Sequence, residues 1–209
     1  MIASSEPGRG ALQKRCSEPT STAPKKRIII AITGASGALL GVRALELLGE
    51  AEVETHLVVS TAACLTITRE TGRRIEDITA LANCQYDPDD LGAAIASGSF
   101  VTQGMIIVPC SIKTLSAVAN SYADNLIARA ADVCLKEGRP LLLAVREAPL
   151  HRGHLRLMDL AARLGAIIYP PIPFFYGAPQ SLDEVLTHIV GRMLLRMGID
   201  NPNYPRWIG

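Results

Sequence analysis

The chain says most through what it lacks. Its 209 residues carry a formal net charge of +1, so no excess of either sign marks a nucleic-acid or anionic-membrane surface. No apolar run approaches the ~20 residues of a membrane span. The five cysteines, Cys16, Cys64, Cys84, Cys110 and Cys134, form no CxxC pair. That odd count reads as a reducing, cytoplasmic compartment with neither a disulfide framework nor a zinc site. Residues 1–26 lack the apolar core of a secretory signal, and Glu6 and Glu18 break the basic character of a transit peptide. Polar, proline-containing and aperiodic, they predict a disordered N-terminal tail ahead of a single domain over 27–209. Also missing are a G-x-G-x-x-G fingerprint and any repeat with a period of roughly 20–50 residues.

What is present is a hydrophobic fraction of 48%. A chain near this length typically buries ~70% of its unfolded surface. From Arg27 onward, apolar runs alternate with helical periodicity. Strands are predicted over Arg27–Thr33, Val53–Val59, Met105–Pro109, Leu141–Arg146 and Ala166–Tyr169. Helices are predicted over Gly37–Leu48, Thr61–Thr71, Arg74–Leu81, Asp90–Ala96, Ile112–Ala119, Asn125–Lys136, His151–Leu164 and Leu182–Met197. Near-continuous apolar strands separated by helices imply an α/β fold, a parallel sheet inside a three-layer sandwich. Ligands in such sheets bind beyond the C-terminal strand ends.

The stretch RIIIAITGASGALLGVRALELL, Arg27 to Leu48, is strand, small-residue turn and helix. Its helix is expected to aim free N–H groups and a positive dipole end at an anion. The second strand ends in Ser60 and carries its acids, Glu52 and Glu54, at the wrong end for a ribose clamp. That favours FMN over a nicotinamide dinucleotide. After the Met105 strand comes Pro109-Cys110-Ser111-Ile112-Lys113-Thr114. The Ser111 and Thr114 hydroxyls stand three apart across a first helical turn, suited to a ligand or to simple N-capping. Cys110 reads as a buried structural thiol or a nucleophile.

Arg129, Asp132 and Lys136 share one helix face, as an anion clamp or a solvated salt-bridged stripe. Arg146-Glu147 directly follows an apolar strand, a position suited to anion binding and proton transfer, or to a surface turn. The segment Pro170 to Tyr176 brings three aromatics, as a slot wall or as core packing. Arg192 follows His188 by four residues and either completes a phosphate clamp or is exposed. His151 and His154 lack a third metal ligand in sequence. Trp207, on a C-terminal tail, is placed to dock on a neighbouring surface.

The blocks TGASGA, LVVS, ITRET, ASGSF, VPCSIKTLS, ARAADVCLKE, VREAPL, PPIPFFY and PRW occur in order over about residues 27–207. Together they resemble the UbiX/Pad1 flavin prenyltransferases. The resemblance implies a Rossmann-like fold related to the flavin-dependent cysteine decarboxylases, assembled as a homo-dodecamer. It implies transfer of a dimethylallyl group from dimethylallyl phosphate to N5 and C6 of reduced FMN, with the product serving a partner UbiD-type decarboxylase. It also implies that no metal is used, in keeping with the absent Asp-rich motif.

Position by position, the resemblance implies flavin contacts from Gly34, Ala35, Ser36, Ser60, Ser111, Ile112, Lys113, Thr114 and Arg146. Donor contacts are implied for Ser97, Gly98, Arg129, Lys136, Glu147, Tyr176, Arg192 and Trp207. The implied catalytic groups are Ser36, Lys136, Glu147 and Glu70, the last contributed across subunits. Gly138 stands where relatives often carry Arg. Three rival readings share the residues: an FMN-dependent decarboxylase of the cysteine-decarboxylase type, an NAD(P)-linked oxidoreductase and a non-catalytic flavin carrier.

Overall fold

A computed structural model describes residues 26–202 and 204–207. The expected tail and Cys16 lie outside them. The six strands are β1 (Arg27–Ile32), β2 (Glu54–Val59), β3 (Cys84–Tyr86), β4 (Met105–Cys110), β5 (Leu141–Val145) and β6 (Ile167–Ile168). All pair in parallel, in the order β3-β2-β1-β4-β5-β6. The helices are α1 (Ala38–Glu50), α2 (Thr61–Thr71), α3 (Ile75–Thr79), α4 (Ile112–Ala119), α5 (Leu126–Lys136), α6 (Arg152–Arg163) and α7 (Leu182–Arg196). No helix among the described residues is long and apolar enough to cross a membrane.

The three layers follow from the two-residue period of a strand. Ile28, Ile30 and Ile32 of β1 point into one core, shared with α1, α2, α3 and α7. Ile29 and Ala31 point into the other, shared with α4, α5 and α6. A strand covered on both faces must be apolar, and β1 beyond Arg27, β4 and β5 are. The strand order reverses between β1 and β4, the switch point at which such sheets open a crevice at their C-terminal ends.

Two expectations fail locally. The helix expected over Asp90–Ala96 is a single 3₁₀ turn, Ala94–Ala96. The Asp87 and Asp90 carboxylates accept from the Asp89 and Gly92 N–H groups at 2.9 and 3.0 Å, and such local bonds compete with a helix. Strand β3 has no counterpart among the predicted strands. Its three residues show no period, and it exists through pairing of Cys84–Tyr86 with His56–Val58.

Candidate functional site

The crevice at the switch point is built on one side chain. The Thr33 hydroxyl, at the end of β1, donates to the Pro109 carbonyl at 2.7 Å and accepts from the Ser111 N–H at 2.8 Å. The turns after β1 and β4 are thereby fixed side by side. Above them lies a cavity of about 610 Å³, with walls that include Gly34, Ser60, Ser111, Lys113, Thr114 and Asn125.

Three helices begin at this cavity. Ser60 caps α2 by accepting from the Ala63 N–H at 3.2 Å, Ser111 caps α4 through the Thr114 N–H at 3.3 Å, and Asn125 caps α5 through the Ala128 N–H at 3.0 Å. Each helix directs the positive end of its dipole there. The Ser111 and Thr114 hydroxyls lie 3.2 Å apart, so their capping role and a place on the cavity wall are compatible. Gly34 is needed for close approach to α2, because a Cβ on it would come within 2.6 Å of the Ala62 Cβ.

The amino end of α1 is already occupied, contrary to the expectation that its N–H groups are free for a ligand anion. The Glu70 carboxylate, from α2 of the same chain, accepts from the Gly37 N–H at 2.9 and 3.1 Å and from the Ala38 N–H at 2.7 Å. Gly37 holds φ at +105°, a conformation open to glycine. The anion expected from a ligand is here supplied by the protein. Ser36 is exposed on the same turn, Ala35 is half-buried, and Ile112 packs against the α4–α5 core. The Arg146 side chain lies against the Gly37 turn and Pro109 is its neighbour there, each 3.9 Å from a Cβ built on Gly37.

The remaining predicted residues fall into separate groups. The Arg129 guanidinium donates to the Ala96 carbonyl at 3.2 Å and to Asp132 at 3.0 Å. Lys136 pairs with Glu137 beside Gly98, and the Ser97 and Ser99 hydroxyls lie 2.9 Å apart. Arg139 donates to the Gly98 and Phe100 carbonyls, so the 97–100 loop is strapped to the end of α5. Tyr176, Arg192 and Trp207 meet in a second cavity of about 480 Å³, with Tyr169, Phe174 and Tyr204. Glu147 is exposed just past β5, where its carboxylate accepts from the Ala148 N–H at 3.0 Å.

Asn125, Arg139 and Tyr204 escaped the sequence reading. Asn125 carried a usable signal, an Asn directly before an apolar helical run. The other two act through contacts distant in sequence. Burial pushes the Cys110 and Cys134 thiols up to about 12, which makes Cys110 structural. Cys64, Cys110 and Cys134 are free. His151 caps α6 through the Gly153 N–H, with its ring 3.7 Å from that of His154.

The sequence matches the Flavoprotein family over residues 16–194. It is 54% identical over 187 residues to flavin prenyltransferase UbiX of Escherichia coli strain K12, covering 88% of this chain and 99% of that protein. The fold superposes on AnUbiX (PadA1), solved in complex with FMN and dimethylallyl pyrophosphate, with a TM-score of 0.87 at 45% identity over 89% of this chain and 99% of that one. A dodecameric FMN-dependent UbiX-like decarboxylase from Escherichia coli O157:H7 gives a TM-score of 0.85 at 47% identity, over 88% and 100% of the two chains.

Proposed function

We infer the activity from the premise that this chain belongs to the Flavoprotein family and, within it, to the UbiX flavin prenyltransferases. It is a flavin prenyltransferase, joining the dimethylallyl group of dimethylallyl phosphate to reduced FMN. The missing G-x-G-x-x-G speaks against the NAD(P)-linked alternative. The observation that carries the site reading is the meeting of three helix amino ends over one cavity at the β1/β4 switch point.

That cavity suits FMN. Its capped helix ends and its Ser60, Ser111 and Thr114 hydroxyls suit the phosphate and polar edges, and Leu65, Ala117 and Ile127 offer apolar walls for the ring system. With Glu70 on the amino end of α1, a second anion is repelled from that turn and directed to α2, α4 and α5. Bound reduced FMN supplies N5 and C6, the two positions that receive the dimethylallyl group as phosphate leaves.

The protein's task is then to hold a poor leaving group and shield the reacting carbons from water. Arg129, Lys136, Arg146, Tyr176 and Arg192 are assigned to the donor phosphate and flavin edge, where fixed donors stabilise developing charge with little reorganisation. Side-chain cations replace a metal in this reading. Glu147 manages protons beside the departing phosphate, Ser36 and Glu70 assist proton removal at the flavin edge, and Trp207 closes over the donor.

Within one chain the Tyr176 cavity, the Lys136 group and the flavin cavity are separate. The complete site is therefore assigned to an interface of a homo-oligomer, a dodecamer like the Escherichia coli relative, operating in the cytoplasm. Its product goes to a UbiD-type decarboxylase. Incubating Glu147→Gln protein with reduced FMN and dimethylallyl phosphate tests the proton role. FMN binding should persist while product formation stalls; wild-type turnover removes Glu147 from the reaction.

A further inference from the structure

The cavity between the Tyr169–Tyr176 segment and Tyr204–Trp207 holds a polar pair of which only Tyr176 has a role so far. Tyr204 is 7% exposed and Tyr176 is 44% exposed, yet their hydroxyls lie 2.7 Å apart. The Tyr204 ring has little freedom. It sits on Gly191 of α7, where a Cβ would come 2.8 Å from the Tyr204 Cβ, and it meets Phe174 edge-on at 5.7 Å. Tyr176 is held more loosely, stacked on Phe174 at 4.7 Å with Trp207 edge-on at 5.7 Å. Arg192, the residue after Gly191, lines the same cavity.

We propose that Tyr204 is a positioning residue for the prenyl donor: its buried hydroxyl orients the Tyr176 hydroxyl beside Arg192, presetting the pair that grips the allylic phosphate. The inference rests on the assignment of Tyr176 and Arg192 to that phosphate. A phenol has one proton to give and lone pairs to accept with. When the Tyr176 proton goes to a phosphate oxygen, the contact between the two phenols must run from the Tyr204 O–H to the Tyr176 oxygen. That bond polarises Tyr176 and strengthens it as a donor. It also fixes the Tyr176 side chain before the donor arrives, which lowers the ordering cost of binding. Gly191 belongs to the device, because it lets Tyr204 sit close enough to α7 to reach Tyr176.

Tyr204→Phe deletes one oxygen and keeps the packing. The KM for dimethylallyl phosphate should rise about two- to ten-fold, the size of one neutral hydrogen bond, with FMN affinity near wild type. Tyr176→Phe should raise the same KM, and the double variant should be no worse than Tyr176→Phe alone, because Tyr204 acts through Tyr176. A Tyr204 that served only the fold would lower thermal stability and FMN affinity together and would add to Tyr176→Phe; that result overturns the proposal. An unchanged donor KM in Tyr204→Phe, with Tyr176→Phe and Arg192→Lys both raising it, also overturns the proposal and leaves the assignment of the pocket standing. Should none of the three variants move the donor KM, the assignment falls and the inference with it.

Discussion

Thr33 holds Ser111 in place: the hydroxyl of this 1% exposed residue accepts the Ser111 N–H and donates to the Pro109 carbonyl two residues before it. These bonds join the ends of β1 and β4 across the switch point and fix the two walls of the cavity to each other. Because Ser111 also caps α4, the same hydroxyl sets where that helix aims its amino end.

Replacing Thr33 by Val keeps the shape and removes both bonds. Leaving the Ser111 N–H and the Pro109 carbonyl without this partner should cost about 1–3 kcal/mol. Urea unfolding should report the loss, and FMN titration should show weaker binding. A variant with wild-type stability and FMN affinity would show that the two walls are set elsewhere.

Glu70 supplies the anion at the start of α1. Glu70→Ala should destabilise by about 0.5–2 kcal/mol, the range for losing a helix cap. Glu70→Gln keeps an oxygen acceptor and should recover part of that. Equal stability of Glu70→Ala and wild type in chemical denaturation would remove the capping role.

Arg139 straps the 97–100 loop through two carbonyls at once. Arg139→Ala should raise the donor KM more than the FMN Kd, because the loop borders Lys136 rather than the flavin cavity. Arg139→Lys should rescue little, since an ammonium lacks the planar fork that spans two acceptors. Full rescue by Lys would make charge, not geometry, the working property.

His56 gives stability a pH dependence. It is 1% exposed, with Nε2 3.0 Å from a Glu54 carboxylate oxygen and Nδ1 2.9 Å from the Tyr86 hydroxyl. Burial holds its imidazole below the ordinary value of 6.5, outweighing the Glu54 carboxylate that favours the proton. The neutral ring is thus favoured in the folded chain, and the unfolded chain takes up the proton first. The contribution is complete above 6.5 and is lost as pH falls below it, with a limiting slope of about 1.4 kcal/mol per pH unit. Urea unfolding between about pH 8 and about pH 5 should show a shallower decline in His56→Gln than in wild type. Identical slopes would place the dependence on other groups.

The sequence displayed the sheet because its central strands are buried on both faces and therefore uniformly apolar, as in Ile28–Ile32 and Leu141–Val145. The rule that ligands sit past strand ends then led to Gly34, Ser60 and Ser111, which share one cavity. What stayed hidden depends on contacts between distant segments. Glu70 reaches Gly37 across 33 residues and Tyr204 reaches Tyr176 across 28; no local pattern encodes either distance. Strand β3 is invisible for a related reason, since its three residues gain their conformation from β2. Asp90–Ala96 misled because its composition suits a helix while its aspartates bond their own backbone.

In the proposed reaction, fixed side-chain cations stand in for a metal at a departing monophosphate beside bound reduced FMN. Its most direct test is anaerobic incubation of the purified protein with reduced FMN and dimethylallyl phosphate in excess chelator, followed by mass spectrometry of the extracted flavin. A flavin heavier by one dimethylallyl unit, formed as fast as without chelator, is the predicted result. Unmodified FMN with chelator, and product restored by added magnesium, would contradict it.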